Sequence, residues 1–188
     1  MNPLLAMLHR LFVSMESIER KAVVAALRRA GNVLPASLSL GRRVQFDVHA
    51  RGRLVFGERV SVLQDSWLMA EDGDTMEFGD DVFISQHCTV SGSVRIGRDT
   101  LIAAYVTIID ANHVIERADV PIRLQGGVKR PIRIGEDVWI GASSVILPGV
   151  TIGDHAVVGA NSTVTGDVPA WAIVAGSPAR VLRMREHP

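Results

Sequence analysis

Two long stretches of this chain place a large apolar residue at every sixth position, and few folds accept that beat. From Phe78 the sequence reads FGDDVF ISQHCT VSGSVR IGRDTL IAAYVT IIDANH, and from Ile134 it reads IGEDVW IGASSV ILPGVT IGDHAV VGANST VTGDVP. Each block opens on Phe, Ile or Val, Gly often follows, and a small or β-branched residue usually takes the fifth place. A weaker copy, FGERVS VLQDSW, begins at Phe56, and the segment around EDGDTM reads as a short insertion between it and the main array.

A period of six is neither the helical period nor a heptad, whereas β-branched residues and Gly turns are the chemistry of short strands and corners. For the sixth-place residues to share one core, each block must form one flat side of a prism. Three sides close a coil of about 18 residues, and coils stack at roughly 4.8 Å. The expected fold is an all-β solenoid of parallel strands over residues 32–183, with a short tail at 184–188.

Ahead of it, Ile18, Val23, Ala26, Leu27 and Ala30 recur at helical spacing and Gly31-Asn32 ends the pattern, so residues 1–31 read as an N-terminal amphipathic helical segment. Such a helix packs on the solenoid or on another subunit; peripheral membrane contact through its Arg-rich face is the alternative. The apolar run NPLLAMLHRLFVSM is broken by His9 and Arg10. It is too short to span a bilayer and no small-residue cleavage site follows, so no signal peptide is expected.

Composition narrows the function classes. Twenty basic residues balance twenty acidic ones, so net charge does not favour a nucleic acid or other polyanion partner, and an anion site has to be local. Cys88 is the only cysteine of the 188 residues. That excludes an internal disulfide and a thiolate-cluster metal site, and it points to a reducing, cytoplasmic setting.

A solenoid that repeats without fault has no reason to place chemistry at one level, so departures from the beat are where function is sought. The largest is the excursion loop 114–131, VIERADVPIRLQGGVKRP, with two prolines, Gly126-Gly127 and alternating charges. Loops of that length in compact domains are usually functional. His113 stands at its base. Taken alone, a histidine at a turn is more often a hydrogen-bonded bystander than a catalyst.

The blocks resemble the hexapeptide-repeat acyltransferase family, from about Phe56 to Arg183 and most closely from Val94 onward, where the chain is similar to sugar O-acetyltransferases of the maltose and galactoside type. The resemblance implies a left-handed parallel β-helix, a handedness that breaks the usual rule for parallel crossovers and that periodicity does not reveal. It also implies a homotrimer with its site between adjacent prisms. DANH, a loop and then IGEDVWIGA match the family's arrangement around its general base, which assigns that role to His113. The chemistry suits it, because a hydroxyl attacking a thioester loses its proton near neutral pH and imidazole titrates at about 6.5. Asp110, Glu116 or a backbone carbonyl are the candidates to orient the ring.

The same resemblance implies acetyl-CoA as cosubstrate. Ala142 and Ala160 lie 18 residues apart and are expected to stack on one edge, with Pro178 one step further, forming a groove for the pantetheine arm. The Ala142 N–H is placed at the developing oxyanion. Trp139 is expected to line the site, and Arg180 and Arg183 in AGSPARVLRMR to meet the nucleotide phosphates. Thr165 completes the cofactor set. Relatives carry a Thr-Lys pair at Thr165-Gly166, so one cationic contact is missing, and Arg185 is the candidate to replace it. His87 stands where relatives carry Asn, and it is placed with Asp110 among substrate-binding residues.

No metal site is expected. The γ-class carbonic anhydrases share this fold and bind zinc through three histidines, but Ala118 occupies the position that would supply the second one here. The reading is therefore an acetyl-CoA-dependent O-acetyltransferase acting on a sugar hydroxyl of a surface polysaccharide, lipopolysaccharide or their precursor. An amino-sugar nitrogen or serine is the alternative acceptor, and a non-catalytic β-helix scaffold is the alternative of another class.

Overall fold

The structure is a computed structural model and describes residues 19–186. The larger part of the expected helical segment lies outside the described residues. Within them a helix spans 19–29, and Val24 and Leu27 pack against the core. Asn32 joins this helix to the solenoid: its amide donates to the Leu27 carbonyl at 3.0 Å and its Oδ1 accepts from the Leu54 N–H at 2.7 Å. No helix among the described residues is long and apolar enough to cross a membrane.

The hexapeptide blocks fold as three parallel sheets that form the sides of a prism. On the first, the Trp139 face, successive coils stack Ser61, Phe83, Leu101, Trp139, Val157 and Ile173 in register. The Thr107 face stacks Trp67, Thr89, Thr107, Val145 and Thr163. The Arg133 face stacks Glu77, Arg95, Arg133 and Thr151. The residues that alternate with these point inward. Ile84, Ile102, Ile140 and Val158 from one face, and Val90, Ile108, Ile146 and Val164 from the next, are buried columns of the core. The residues that opened each hexapeptide are thus the ones that lose solvent.

Coil length is not uniform. Gln45 pairs with Trp67 and Trp67 with Thr89, steps of 22 residues, whereas Thr89 to Thr107 and Val145 to Thr163 are steps of 18. The early coils carry four-residue strands, Gln45–Val48, Arg53–Phe56, Trp67–Ala70 and Thr75–Phe78. The EDGDTM segment is therefore part of a wide coil and not an insertion: Met76 is fully buried, and Phe78 stacks on Phe56 with centroids 4.6 Å apart. At the far end the step shortens to 16, Val157 to Ile173. Pro178 accordingly falls beyond the column, and the position above Ala160 belongs to Gly176.

Two of the three edges turn through residues with φ near +60°. On the edge between the Trp139 and Thr107 faces these are Arg43, Asp65, His87, Tyr105, Ser143 and Asn161. From Asp65 onward each N–H there bonds to a carbonyl of the coil below, as Ser143 does to Ala104 at 2.9 Å and Asn161 to Ala142 at 2.8 Å. Backbone satisfaction between coils holds the edge straight despite the left-handed conformations.

Candidate active site

The excursion leaves from the edge between the Thr107 and Arg133 faces. It begins earlier than its proline and glycine signals suggested. Ala111–His113 pairs antiparallel with Gly127–Lys129, so the loop stands on a two-stranded ribbon with His113 opposite Gly127. A single turn of 3-10 helix, Ile122–Leu124, lies at its far end.

Lys129, opposite Ala111 on the ribbon, ties it to an earlier coil. Its Nζ lies 2.8 Å from both Glu71 and Asp74. Asp74 is almost wholly buried and also accepts from the Ser93 hydroxyl at 3.2 Å and the Glu71 N–H at 3.0 Å. Partial burial by itself would lower the Lys129 pKa, but the hydrogen bonds to Asp74 and Glu71 outweigh it and hold the ammonium above the ordinary lysine value. Nothing in the local sequence pairs Lys129 with Asp74; only closure of the coils does. Lys129→Met is expected to loosen the ribbon, seen as faster amide exchange across 111–129. If His113 serves as the expected base, the same change should lower turnover by roughly 10- to 100-fold through its misplacement, with Lys129→Arg restoring most of it.

His113 itself is exposed. Its N–H donates to the Asn112 side chain at 3.0 Å, and its ring has no hydrogen-bond or ion-pair partner among the described residues. Of the candidates to orient it, Glu116 instead accepts from the Ile115 N–H. Asp110, expected at the substrate, is 1% exposed and sits inside the corner, where its contacts are with the coil beneath. Its Oδ2 accepts from the Ser93 N–H at 2.8 Å, while Oδ1 is buried without a partner. Burial pushes the Asp110 carboxyl above its usual range.

The other residues expected at the site fall into groups on other parts of the prism. Trp139, 54% exposed, and Arg183 line a groove of about 430 Å³ on the Trp139 face, together with Val157, Ile173 and Arg185. Arg183 reaches this place because Ala179–Met184 folds back on Ala172–Gly176 and sets Arg183 against Ile173. Arg180 and Thr165 meet in a second cavity of 260 Å³ at the end of the prism. Neither Arg180 nor Arg183 forms a salt bridge among the described residues. Arg185 does: it lies 3.6 Å from Asp137, donates to the His155 carbonyl at 2.7 Å and covers the Trp171 ring. Its side chain borders the Trp139 groove as well.

Ala142 and Ala160 stand together on the edge beside the Trp139 face, with Ala104 one step below Ala142. The N–H groups of all three donate to no backbone acceptor among the described residues. Methyl side chains on that edge leave those donors open to a ligand. His87 lies lower on the same edge. No group of three or more His, Cys, Asp or Glu side chains placed to hold a metal occurs among the described residues.

Coils counted in sixes, one ribbon lifting a histidine clear of the prism and a basic groove on another face define a hexapeptide-repeat β-helix protein of the transferase kind. Residues 131–166 match the family model described as bacterial transferase hexapeptide (six repeats). A putative lipopolysaccharide biosynthesis O-acetyl transferase of Escherichia coli is 33% identical over 157 residues, covering 78% of this chain and 80% of that protein. A probable acetyltransferase of Mycobacterium tuberculosis is also 33% identical, over 78% of this chain, and here the chain spans only 50% of the relative's length. Among solved structures, a galactoside acetyltransferase in complex with coenzyme A is 29% identical with a TM-score of 0.53, covering 79% of this chain and 64% of that one. The chain belongs to the hexapeptide-repeat acyltransferase family.

Proposed function

We propose that this protein transfers an acetyl group from acetyl-CoA to a sugar hydroxyl of a surface polysaccharide, lipopolysaccharide or their precursor, and that it does so as a homotrimer. The observation that carries the reading is a separation. His113 leaves from the edge between the Thr107 and Arg133 faces, while Trp139, Arg183 and the open N–H groups of Ala142 and Ala160 belong to the Trp139 face and its own edge. On this reading the two halves of the site lie a full side apart on one prism. Packing a second copy against the first joins the histidine of one to the groove of the other, and three-fold closure satisfies every copy equally.

In that arrangement the nucleotide end of acetyl-CoA lies toward Arg183 and Arg180, and the thioester reaches the level of Ala142. His113 takes the proton of the acceptor hydroxyl as its oxygen attacks the thioester carbonyl. The Ala142 N–H stabilises the oxyanion of the tetrahedral intermediate. Collapse breaks the carbon–sulfur bond, and the departing thiolate takes the proton from His113. The products are the sugar acetate and free coenzyme A, with no acyl-enzyme.

The reading draws on the relatives named as O-acetyltransferases and on the coenzyme A complex of the galactoside enzyme. Its test is incubation of the purified chain with acetyl-CoA and a panel of sugars, glycosides and glycans, reading thiol release and the mass of the acceptor. Acetyl ester formation is the expected result. Acetylation of an amino sugar or serine alone would move the acceptor to nitrogen or to serine, and calorimetric failure to bind acetyl-CoA would favour the scaffold. Native mass spectrometry should give three chains; a monomer active at high dilution would overturn the shared site.

A further inference from the structure

The edge between the Trp139 and Thr107 faces changes character halfway along. Its lower half is a continuous stack of side chains. Arg43 grips Asp65 through two hydrogen bonds of 2.6 and 2.8 Å, Asp65 lies 4.0 Å from His87, and the His87 ring lies flat on Tyr105 with centroids 4.8 Å apart and planes 8° from parallel. That separation is about one strand spacing, so the two rings occupy successive rungs of the edge. There the stack stops. The next rungs carry Ser143 and Asn161, beside the methyl groups of Ala142 and Ala160.

Tyr105 thus has one ring face covered by His87 and the other turned toward a rung whose side chain is too small to cover it, and it is 57% exposed. The rung above is the level of Ser143 and Ala142. A flat ring laid on the uncovered face of Tyr105 would bring its rim beside the open Ala142 N–H.

We infer that Tyr105, backed by His87, is the floor of the acceptor subsite and binds the apolar C–H face of a pyranose ring. The inference rests on the proposed function and adds to it a chemical class of acceptor and a residue to recognise it. Polarity along the prism selects the acceptor over the donor. The arginines that suit phosphate, Arg180 and Arg183, lie at the C-terminal end, so the donor's uncharged acyl end points down the edge toward Ala142. The acceptor meets it from the opposite side, where Tyr105 and His87 stand. Aromatic faces hold the C–H surface of a sugar, while its hydroxyls at the rim remain free to react or to hydrogen-bond. The backing ring matters because a Tyr already stacked on one side has lost rotamer freedom before the ligand arrives, which lowers the entropic cost of binding.

The test uses the full-length protein with methyl galactoside, methyl glucoside and methyl N-acetylglucosaminide as acceptors. For the best of these, Tyr105→Ala is expected to raise the acceptor KM roughly tenfold while the KM for acetyl-CoA changes less than about twofold. Tyr105→Phe keeps the ring face and should recover the wild-type acceptor KM. Tyr105→Leu, which keeps bulk without a π face, should behave like Tyr105→Ala and serves if the alanine protein is poorly folded. If the wild type acetylates a sugar and neither ring-deleting variant changes its KM, the subsite is wrong and the proposed function stands. If a ring-deleting variant dissociates the oligomer in native mass spectrometry, Tyr105 is an interface residue and the inference is overturned. If the wild type acetylates no sugar, both readings fall.

Discussion

Replacement of His113 by alanine is expected to lower acetyl transfer by roughly two to four orders of magnitude, the usual contribution of a positioned general base. Stability should change by less than about 0.5 kcal/mol, because the ring is exposed and makes no hydrogen bond or ion pair among the described residues. Acetyl-CoA affinity should also persist, since Trp139 and Arg183 lie on another face and keep their groove. Calorimetry with acetyl-CoA and a thiol-release assay on the same preparation separate these quantities. A variant that binds the donor and turns over at the wild-type rate would sink the mechanism. The structure adds a condition: the ring has no orienting partner among the described residues, so its productive rotamer is expected to depend on assembly, and activity should fall on dilution below the oligomer's dissociation constant.

Replacement of Gly92 by alanine is expected to be the most damaging single methyl group that can be added near the loop. Gly92 has φ +92°, and a Cβ there would overlap the Asp110 carboxylate. Asp110 has little room to yield, since its side chain accepts from the Ser93 N–H and its carbonyl accepts from the Arg130 N–H at 2.7 Å. Left-handed strain and overpacking each cost about 1–3 kcal/mol, so a loss of roughly 2–6 kcal/mol is expected, read as a lowered urea midpoint. The double replacement Gly92→Ala with Asp110→Ala should recover the overpacking share and leave the strain. Strict additivity of the two would show that the carboxylate does not rest on Gly92.

Asp110 also predicts a pH dependence. Its pKa is raised in the folded chain, so folding favours the protonated form; that stabilisation is fully present below the ordinary carboxylate range and is lost as pH rises through the raised pKa. Asp110→Asn should therefore be at least as stable as the wild type at neutral pH, with its relative advantage shrinking as the solution is acidified. A widening advantage in acid would contradict the burial argument.

Several features were legible before any coordinates. The apolar residue opening each hexapeptide became the buried column of each face, because a six-residue side can present only its alternate positions inward. The break after IIDANH marked the excursion, because Pro, paired Gly and charge cannot continue such a side. Other features were not legible, and each for a definable reason. The wide early coils look like an interruption because EDGDTM keeps the core contact, Met76, but shifts its spacing. Asp110 reads as a polar neighbour of His113, yet its burial depends on Gly92 from the coil below. Tyr105 carries no motif and gains a role only because His87, 18 residues earlier, lies beneath it.

The sequence by itself determined the prism, its core and the level at which the repeat is broken, since periodicity is a local property that each block satisfies with its own residues. Only the tertiary structure decided which residues share an edge, that Lys129 is held by Glu71 and Asp74, and that His113 stands a full face away from Trp139 and Arg183. Those relations join residues from different coils. Their separations depend on how long each coil runs and where the chain turns back, and no short stretch of sequence records either.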